Sequence, residues 1–405
     1  MPLLIRHARV LTLASTSAEP GTLSTKKHRR GPALRDLGIL PRADVLVQDD
    51  KIAAVGPDLN APPDTDIIEA DGRVLMPGFI DCHTHACWAG DLLDAWEKQL
   101  AGEKPTGFDP IVHAVRNSTR KQLAAALRVR LDQILAGGTT TVEVKSGYGL
   151  SLDAELKLLH AIQRAAQEFP GTVVSTALLG HTIDGDPANF TRLVVREILP
   201  AVWHEFPGIT IDARSSADAW PVEACVRLFE RARKHGLEIR VDADEFASTG
   251  MIPEALKLHA RSIDGLEHAS KNDLLALAAS DTFGVMLPAR SFHQGNRYAR
   301  AGFFVDNHGL LALASDFNPA TSPTHSMPLV IATAVRCCGL TPAEAIAACT
   351  VNAAAVLGLT DRGTIEPGQR ADLILLRHRD ERLLAHELGG NPIDLVLAAG
   401  RRIAR

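Results

Sequence analysis

The order of apolar and polar positions divides the chain into two kinds of segment. Residues 3–13 are rich in β-formers, 43–48 alternate apolar with polar, and 51–55 lead into a Gly-Pro turn. Alternation with period two marks strands that bury one face. Between the first two of these strands, 15–42 is rich in Pro, Gly and basic residues, with KKHRR at 26–30. That composition reads as a solvated, flexible insertion, with an anion patch as the alternative.

From residue 74 the rhythm changes. An apolar run, VLMPGFIDCHTH at 74–85, is followed by short β-branched runs at 139–145, 172–179, 209–212, 238–241, 262–267, 283–287 and 310–314. Helical patterns at 121–136 and 221–234 lie between them, the first closed by Gly137 and Gly138. With the run at 74–85 this makes about eight strands, which suits an α/β (β/α)8 TIM barrel better than an open sheet. Helical patterns follow at 343–349 and 352–357, and alternation returns at 363–376. The expected architecture is a barrel over 74–366 and a small β-sandwich domain assembled from 1–73 and 367–405.

The run at 74–85 ends in His83 and His85. Side chains at i and i+2 of a strand share a face, so the two imidazoles can converge just past the strand end. Neutral imidazole suits Zn²⁺ or Fe²⁺. In a chain with 16 histidines an HxH also arises by chance. The polar residues that end the other runs strengthen the metal reading: Lys145, His181, Asp242 with Glu245, His268 and Asp316. Active residues of such barrels sit at the C-terminal strand ends, and random placement would scatter these groups over both ends. Each also has a plainer reading. Asp316 can cap the next turn, and Lys145 can be a structural group instead of a carbamylated metal bridge. His181 and His268 can be satisfied barrel residues, and Asp244 a salt-bridged loop residue. His113, His160, His204, His235, His259, His308 and His378 fall on helices or loops and read as inert.

Composition narrows the class. A chain of 405 residues holds a barrel of about 250 residues and one smaller domain. A net charge of −5 offers no electrostatic case for nucleic acid or an acidic membrane. The cysteines at 82, 87, 225, 337, 338 and 349 form no CxxC, which fits a reducing compartment. No run approaches the ~18 apolar residues of a membrane span, and Arg6, His7 and Arg9 interrupt any signal-peptide core. The expected setting is cytoplasmic, with a small-molecule substrate, neither nucleic acid nor membrane, and a homodimer as an open option.

Several segments resemble the metal-dependent amidohydrolase superfamily: PGFIDCHTH at 77–85, AGD at 89–91, GTTTVEVKSGYGL at 138–150, LGH at 179–181, SDFNP at 315–319, TVNAAAVLGL at 350–359 and DRGTIEPGQRADL at 361–373. Within it the chain is similar to the imidazolonepropionase family of histidine degradation, and VEVKSGYGL is the specific carrier. The resemblance implies a hydrolase that opens a small cyclic amide, converting 4-imidazolone-5-propanoate to N-formimino-L-glutamate. It implies one divalent metal, Zn or Fe, held by His83, His85 and Asp316. Substrate contacts would come from Tyr148, His181, Asn318 and Thr321, with Glu245 close to the ring. Asp316 would take the proton of the attacking water, Glu245 or His268 would protonate the leaving nitrogen, and His181 would hold the oxyanion.

Three positions depart from the family's pattern. Asp242 stands where the family has its third metal-binding histidine, giving an expected ligand set of His83, His85, Asp242 and Asp316. A second carboxylate shifts preference toward harder ions such as Mn²⁺. Leu92 stands where an arginine would grip the substrate carboxylate, and Arg297, Arg290 and Arg116 are the candidate replacements. Gly265 replaces a histidine, a function that His268 can restore three residues on. These departures keep two alternatives open. One is a related amidohydrolase or deaminase acting on another cyclic amide or a modified amino acid. The other is a degenerate, metal-poor barrel with a binding role.

Overall fold

The computed structural model describes residues 2–14, 28–103, 107–216 and 219–403. The first five strands are β1 (Leu3–Leu11), β2 (Ile39–Gln48), β3 (Lys51–Gly56), β4 (Asp66–Glu69) and β5 (Val74–Pro77). Eight more follow with a helix or helices between each consecutive pair: β6 (Phe79–Asp81), β7 (Thr139–Lys145), β8 (Thr172–Gly180), β9 (Thr210–Ser215), β10 (Ile239–Ala243), β11 (Ser262–Gly265), β12 (Phe283–Met286) and β13 (Leu311–Leu313). The C-terminal part adds β14 (Leu373–Leu376), β15 (Ile393–Ala398) and β16 (Arg401–Arg402).

Both ends of the chain build one sheet, in the order β16-β15-β14-β5-β1-β2-β3, with β4 on β1. Its strands alternate between two cores. Leu373, Leu375, Leu395 and Leu397 join Leu3, Ile5, Val45 and Val47 in the small domain's own core. Ile374, Leu376, Ile393 and Val396 turn the other way, into the barrel's cluster with Val74 and Met76. The sheet folds back on itself where Lys51 bridges to Arg370 and Ile52 N donates to Gln369 O at 2.9 Å. Because β5 pairs with β1 and β14, residues 74–77 belong to this sheet. The domain boundary expected at residue 74 therefore moves to Gly78, and the barrel starts at Phe79.

A further expectation changes along 28–42. Most of the expected insertion, 15–27, lies outside the described residues, but the arginines at 29, 30 and 35 all make fixed contacts with the rest of the fold, although Arg35 stays exposed. Arg29 is buried. Arg30 donates to the carbonyls of Ala278 and Ser280 at 2.7 and 2.8 Å, and Arg35 pairs with the buried Glu344 at 2.8 Å. Of these groups with the look of a surface charge run, Arg30 satisfies carbonyls at a helix end of the barrel, Arg29 those of Ala14 and Ala33, and Arg35 a carboxylate.

The barrel strands β6 to β13 pair in sequence order, all in parallel. Closure lies just beyond the strands' C-terminal ends. Asp316 N donates to His83 O at 3.0 Å, His85 N donates to Phe317 O at 2.9 Å, and Thr84 and Phe317 form a parallel bridge. Helix Arg120–Ala136 starts at Thr119 in a capping box with Gln122, which satisfies two otherwise orphaned N–H groups.

The barrel interior departs from the usual aliphatic layers. Glu143, Lys145, Asp212, Arg240 and Asp264 are all buried there. Lys145 Nζ lies 2.8 Å from Glu143 and 2.5 Å from Asp212, and Arg240 lies 2.9 Å from Glu143 and 2.6 Å from Asp264. Buried charge needs this mutual pairing, because an unpaired ion in a low-dielectric interior is strongly destabilising. All six cysteines are free, and no described helix is long and apolar enough to cross a membrane.

Asn352, from the TVNAAA segment, ties three elements together. Its side chain accepts from Arg29 N at 2.7 Å and donates to Arg29 O and Leu311 O at 2.8 and 2.7 Å. Asn352→Ala leaves these buried groups without partners and is expected to destabilise the fold by ~2–4 kcal/mol. A lowered urea midpoint would register it. A change under about 0.5 kcal/mol would mean that water replaces the amide.

Candidate active site

Barrel closure sets the central group. His83 and His85 extend β6, Asp316 follows β13, and the seam between these strands brings all three together. Asp316 Oδ1 lies 3.6 Å from His83 Nε2 and 3.4 Å from His85 Nε2. Asp316 has a left-handed backbone, φ +56°, an unfavourable conformation for a residue other than glycine. The backbone bond to His83 O and the turn through Asn318 and Thr321 hold it there.

His83 Nδ1 lies 2.6 Å from Asp264, whose other oxygen accepts from Ser262 Oγ. A carboxylate accepts, so the imidazole proton sits on Nδ1 and the Nε2 lone pair faces Asp316. Burial and the Lys145 charge hold the His83 imidazole well below its ordinary range. The same causes bring His85 down to about 3. Both rings are therefore neutral, the form that binds metal. His83 Nε2, the nitrogen that faces Asp316, is buried with no hydrogen-bond partner, which is costly unless something else satisfies it. Two neutral imidazoles with a carboxylate beside them match a three-ligand catalytic metal site. The donor set fits the metal that the sequence implies.

A narrow pocket opens over this group. His85, Phe108, Tyr148, His181, Asn318 and Thr321 line it together with Arg214, Glu245, Arg290 and Asp316. Aromatic contacts stiffen one wall: His85 stacks on His181 with centroids 5.3 Å apart, and Phe108 lies 4.7 Å from His181. The Tyr148 hydroxyl is buried and has no hydrogen-bond partner, so it is available to a ligand. His181 Nδ1 lies 3.0 Å from Gly147 O, which fixes the proton on that nitrogen. Burial, then the neighbouring His85, push its basicity well down. Neutral His181 thus offers a lone pair at Nε2. It suits accepting a proton or hydrogen bond better than donating to an oxyanion, contrary to the expected role.

Asn318 and Thr321 also line the pocket, but their polar atoms serve Asp316 instead of pointing to a ligand. Asn318 Nδ2 donates to Asp316 O and Thr321 Oγ1, each at 2.6 Å. Thr321 Oγ1 donates to Asp316 Oδ2 at 3.0 Å. Burial raises the Asp316 carboxyl to about 6, against the pull of Arg290.

Asp242 is not part of the three-residue group. Arg290 Nη1 and Nη2 donate to its two oxygens at 2.6 and 3.3 Å. On its other side Arg290 holds Glu267, at 2.9 Å from Nη2. Burial pushes Asp242 up to about 7 and Glu267 to about 8 despite this cation. Gly265 and Leu266 both have positive φ, +90° and +72°. The resulting bend turns Glu267 inward and His268 outward. His268 is half-buried, with Nε2 3.4 Å from Asn296, and lies outside the pocket lining. It does not stand in for the histidine that Gly265 replaces.

Lys145 lies beneath the site, ion-paired with Glu143 and Asp212, which fits the structural reading and not a carbamylated bridge. Leu92 packs against the core, outside the pocket lining. Of the arginines considered as its substitutes, Arg290 reaches the pocket. Arg116 is engaged by the Gly149 and Leu150 carbonyls and Asp184, and Arg297 does not line the pocket. Sequence reasoning misses Arg214. The apolar run ends at Asp212, whereas β9 continues to Ser215 and carries Arg214 to the pocket wall, 3.0 Å from Glu245. Burial raises Glu245, but Arg290 and Arg214 outweigh it and leave this carboxyl below its ordinary range.

Comparison with known proteins agrees with this geometry. A model described as "Amidohydrolase family" matches residues 99–404. An imidazolonepropionase from Deinococcus radiodurans is 39% identical over 382 residues, covering 93% of this chain and 95% of that protein. One from Geobacillus kaustophilus is 34% identical, covering 99% and 97%. A triazine hydrolase variant superposes with a TM-score of 0.74 at 17% identity, covering 99% of this chain and 94% of that one. N-isopropylammelide isopropylaminohydrolase from Burkholderia multivorans does so at 0.70 and 20% identity, covering 100% and 98%. These last two speak to the fold alone.

Carboxylates that orient a ligating imidazole typically contribute about 10–100-fold to metal affinity. Asp264→Asn is accordingly expected to weaken Zn²⁺ binding by that order in a chelator competition. Unaltered affinity would mean that Asp264 matters only to the ion pairs beneath the site.

Proposed function

The chain belongs to the imidazolonepropionase family of amidohydrolases, and from that premise we propose that its pocket opens 4-imidazolone-5-propanoate to N-formimino-L-glutamate. The observation that carries the proposal is the convergence of His83, His85 and Asp316 beneath a pocket with an unpartnered tyrosine hydroxyl. We assign one divalent ion, Zn²⁺ or Fe²⁺ with Mn²⁺ as a further option, to those three side chains. When bound, such an ion acidifies a water and polarises a carbonyl.

The protein's own groups supply the rest. Asp316 takes the proton of the attacking water, and Thr321 and Asn318 keep its carboxylate in line. Glu245 remains ionised between Arg214 and Gln294, so it is an acceptor for a ring N–H and a poor proton donor. The proton for the leaving nitrogen therefore comes from Asp316, which returns what it took. His181 accepts a hydrogen bond from the substrate through Nε2, and Tyr148 donates one through its hydroxyl. The aromatic wall of Phe108 and Tyr148 excludes water from the ring. With Leu92 unable to meet a carboxylate, Arg214 is the cation assigned to the propionate tail. Its place in the pocket wall beside Glu245 supports that assignment.

Turnover of 4-imidazolone-5-propanoate, compared with hydantoins and acyl dipeptides, tests the substrate. Activity on one of the others with none on the first overturns it. Asp316→Asn is expected to lower kcat by about 10²–10⁴. Removing Arg214 as Arg214→Met should raise KM for the propionate substrate about 10–100-fold, the worth of a charge-assisted contact. An analogue without the carboxylate should show no such rise, and an equal rise for both would assign Arg214 to the architecture of Glu245.

A further inference from the structure

The two departures at the barrel mouth, Asp242 and Gly265, meet at one side chain. Arg290 is fully buried, and it sits on the first turn of helix Pro288–Gln294, directly after β12. Its guanidinium lies between Asp242 and Glu267 and 3.9 Å from Glu245. It also borders the same pocket as His85 and Asp316. A Cβ on Gly265 would stand 2.5 Å from Arg290 Nη2 and 2.6 Å from Asp242 Oδ1. Any other residue at 265 would expel the guanidinium or the carboxylate, so the missing side chain and the arginine are two halves of one arrangement.

We propose that Arg290 is a positioning residue that holds Asp242 off the metal and keeps the site at three protein ligands. The inference rests on the metal reading of His83, His85 and Asp316 and adds a restraint built from Arg290, Gly265 and Glu267. A carboxylate whose oxygens both accept from one guanidinium has lost the lone pairs best directed for ligation. The cation also supplies positive charge beside the site that an additional anionic ligand would offset. Without Arg290, Asp242 sits on β10 with free oxygens and no competing partner, and it can turn to the ion.

Zn²⁺ titration against a chromophoric chelator, with Co²⁺ absorption as a reading of coordination, tests this on the full chain. Arg290→Met is expected to bind Zn²⁺ about tenfold or more tighter and to alter the Co²⁺ spectrum. Asp242→Asn alone should leave affinity within about threefold of wild type, and adding it to Arg290→Met should cancel the gain. The asparagine keeps an oxygen for Arg290, so this variant remains informative if Arg290→Met does not fold. Loss of about tenfold or more in Asp242→Asn would mean that Asp242 already ligates, and the proposal falls. Wild-type protein that takes up no metal overturns the metal reading and this inference together. Normal uptake with no gain in Arg290→Met overturns this inference alone.

Discussion

Two backbone hydrogen bonds, from Asp316 N to His83 O and from His85 N to Phe317 O, close the barrel between its first and last strands. The same residues carry the site. A ring of eight parallel strands can place its first and last members side by side only by closing, and closure here happens at the residues with ligating side chains. The fold and the chemistry are therefore not separable at this point. Anything that opens the seam also parts the two imidazoles from the carboxylate. The left-handed backbone of Asp316 is the local cost of that geometry, and the Asn318–Thr321 turn holds it in place.

Beneath the seam the barrel is filled with charge. Glu143, Lys145, Asp212, Arg240 and Asp264 pair with one another across strands β7, β9, β10 and β11. Such a layer contributes little net stability compared with an apolar filling. Its value here is orientation. Asp264 fixes the tautomer of His83, and Glu143 accepts from Thr84 N at 3.2 Å. A second buried network, Asp242–Arg290–Glu267, reaches the pocket through Arg290. The two networks differ in what they do: the first points a ligand at the centre, the second keeps a carboxylate away from it.

Much of this was legible in the order of residues. Buried parallel strands read as continuous apolar runs, so the barrel strands stood out, and the polar groups ending them marked the C-terminal mouth. His83, His85, His181, Glu245 and Asp316 are legible that way, and Tyr148 through the family resemblance. The errors share a cause. Residues 74–77 looked like barrel because β5 and β6 are both apolar and only Gly78 separates them. Arg214 was missed because β9 runs past the point where its apolar character ends. His268 looked inward-facing because the positive φ of Gly265 and Leu266, which re-aims the chain, leaves no mark in a strand pattern.

The chain by itself determined the repeating strand–helix architecture, the histidine pair and the class of chemistry, because these follow from periodicity and from residue types that bind metal whatever surrounds them. Tertiary structure decided which acidic groups are available to that chemistry. Asp242 and Arg290 lie 48 positions apart, and only packing reveals that the second engages the first. A carboxylate's role depends on its nearest cation, and nearest in space is not a property that sequence order records.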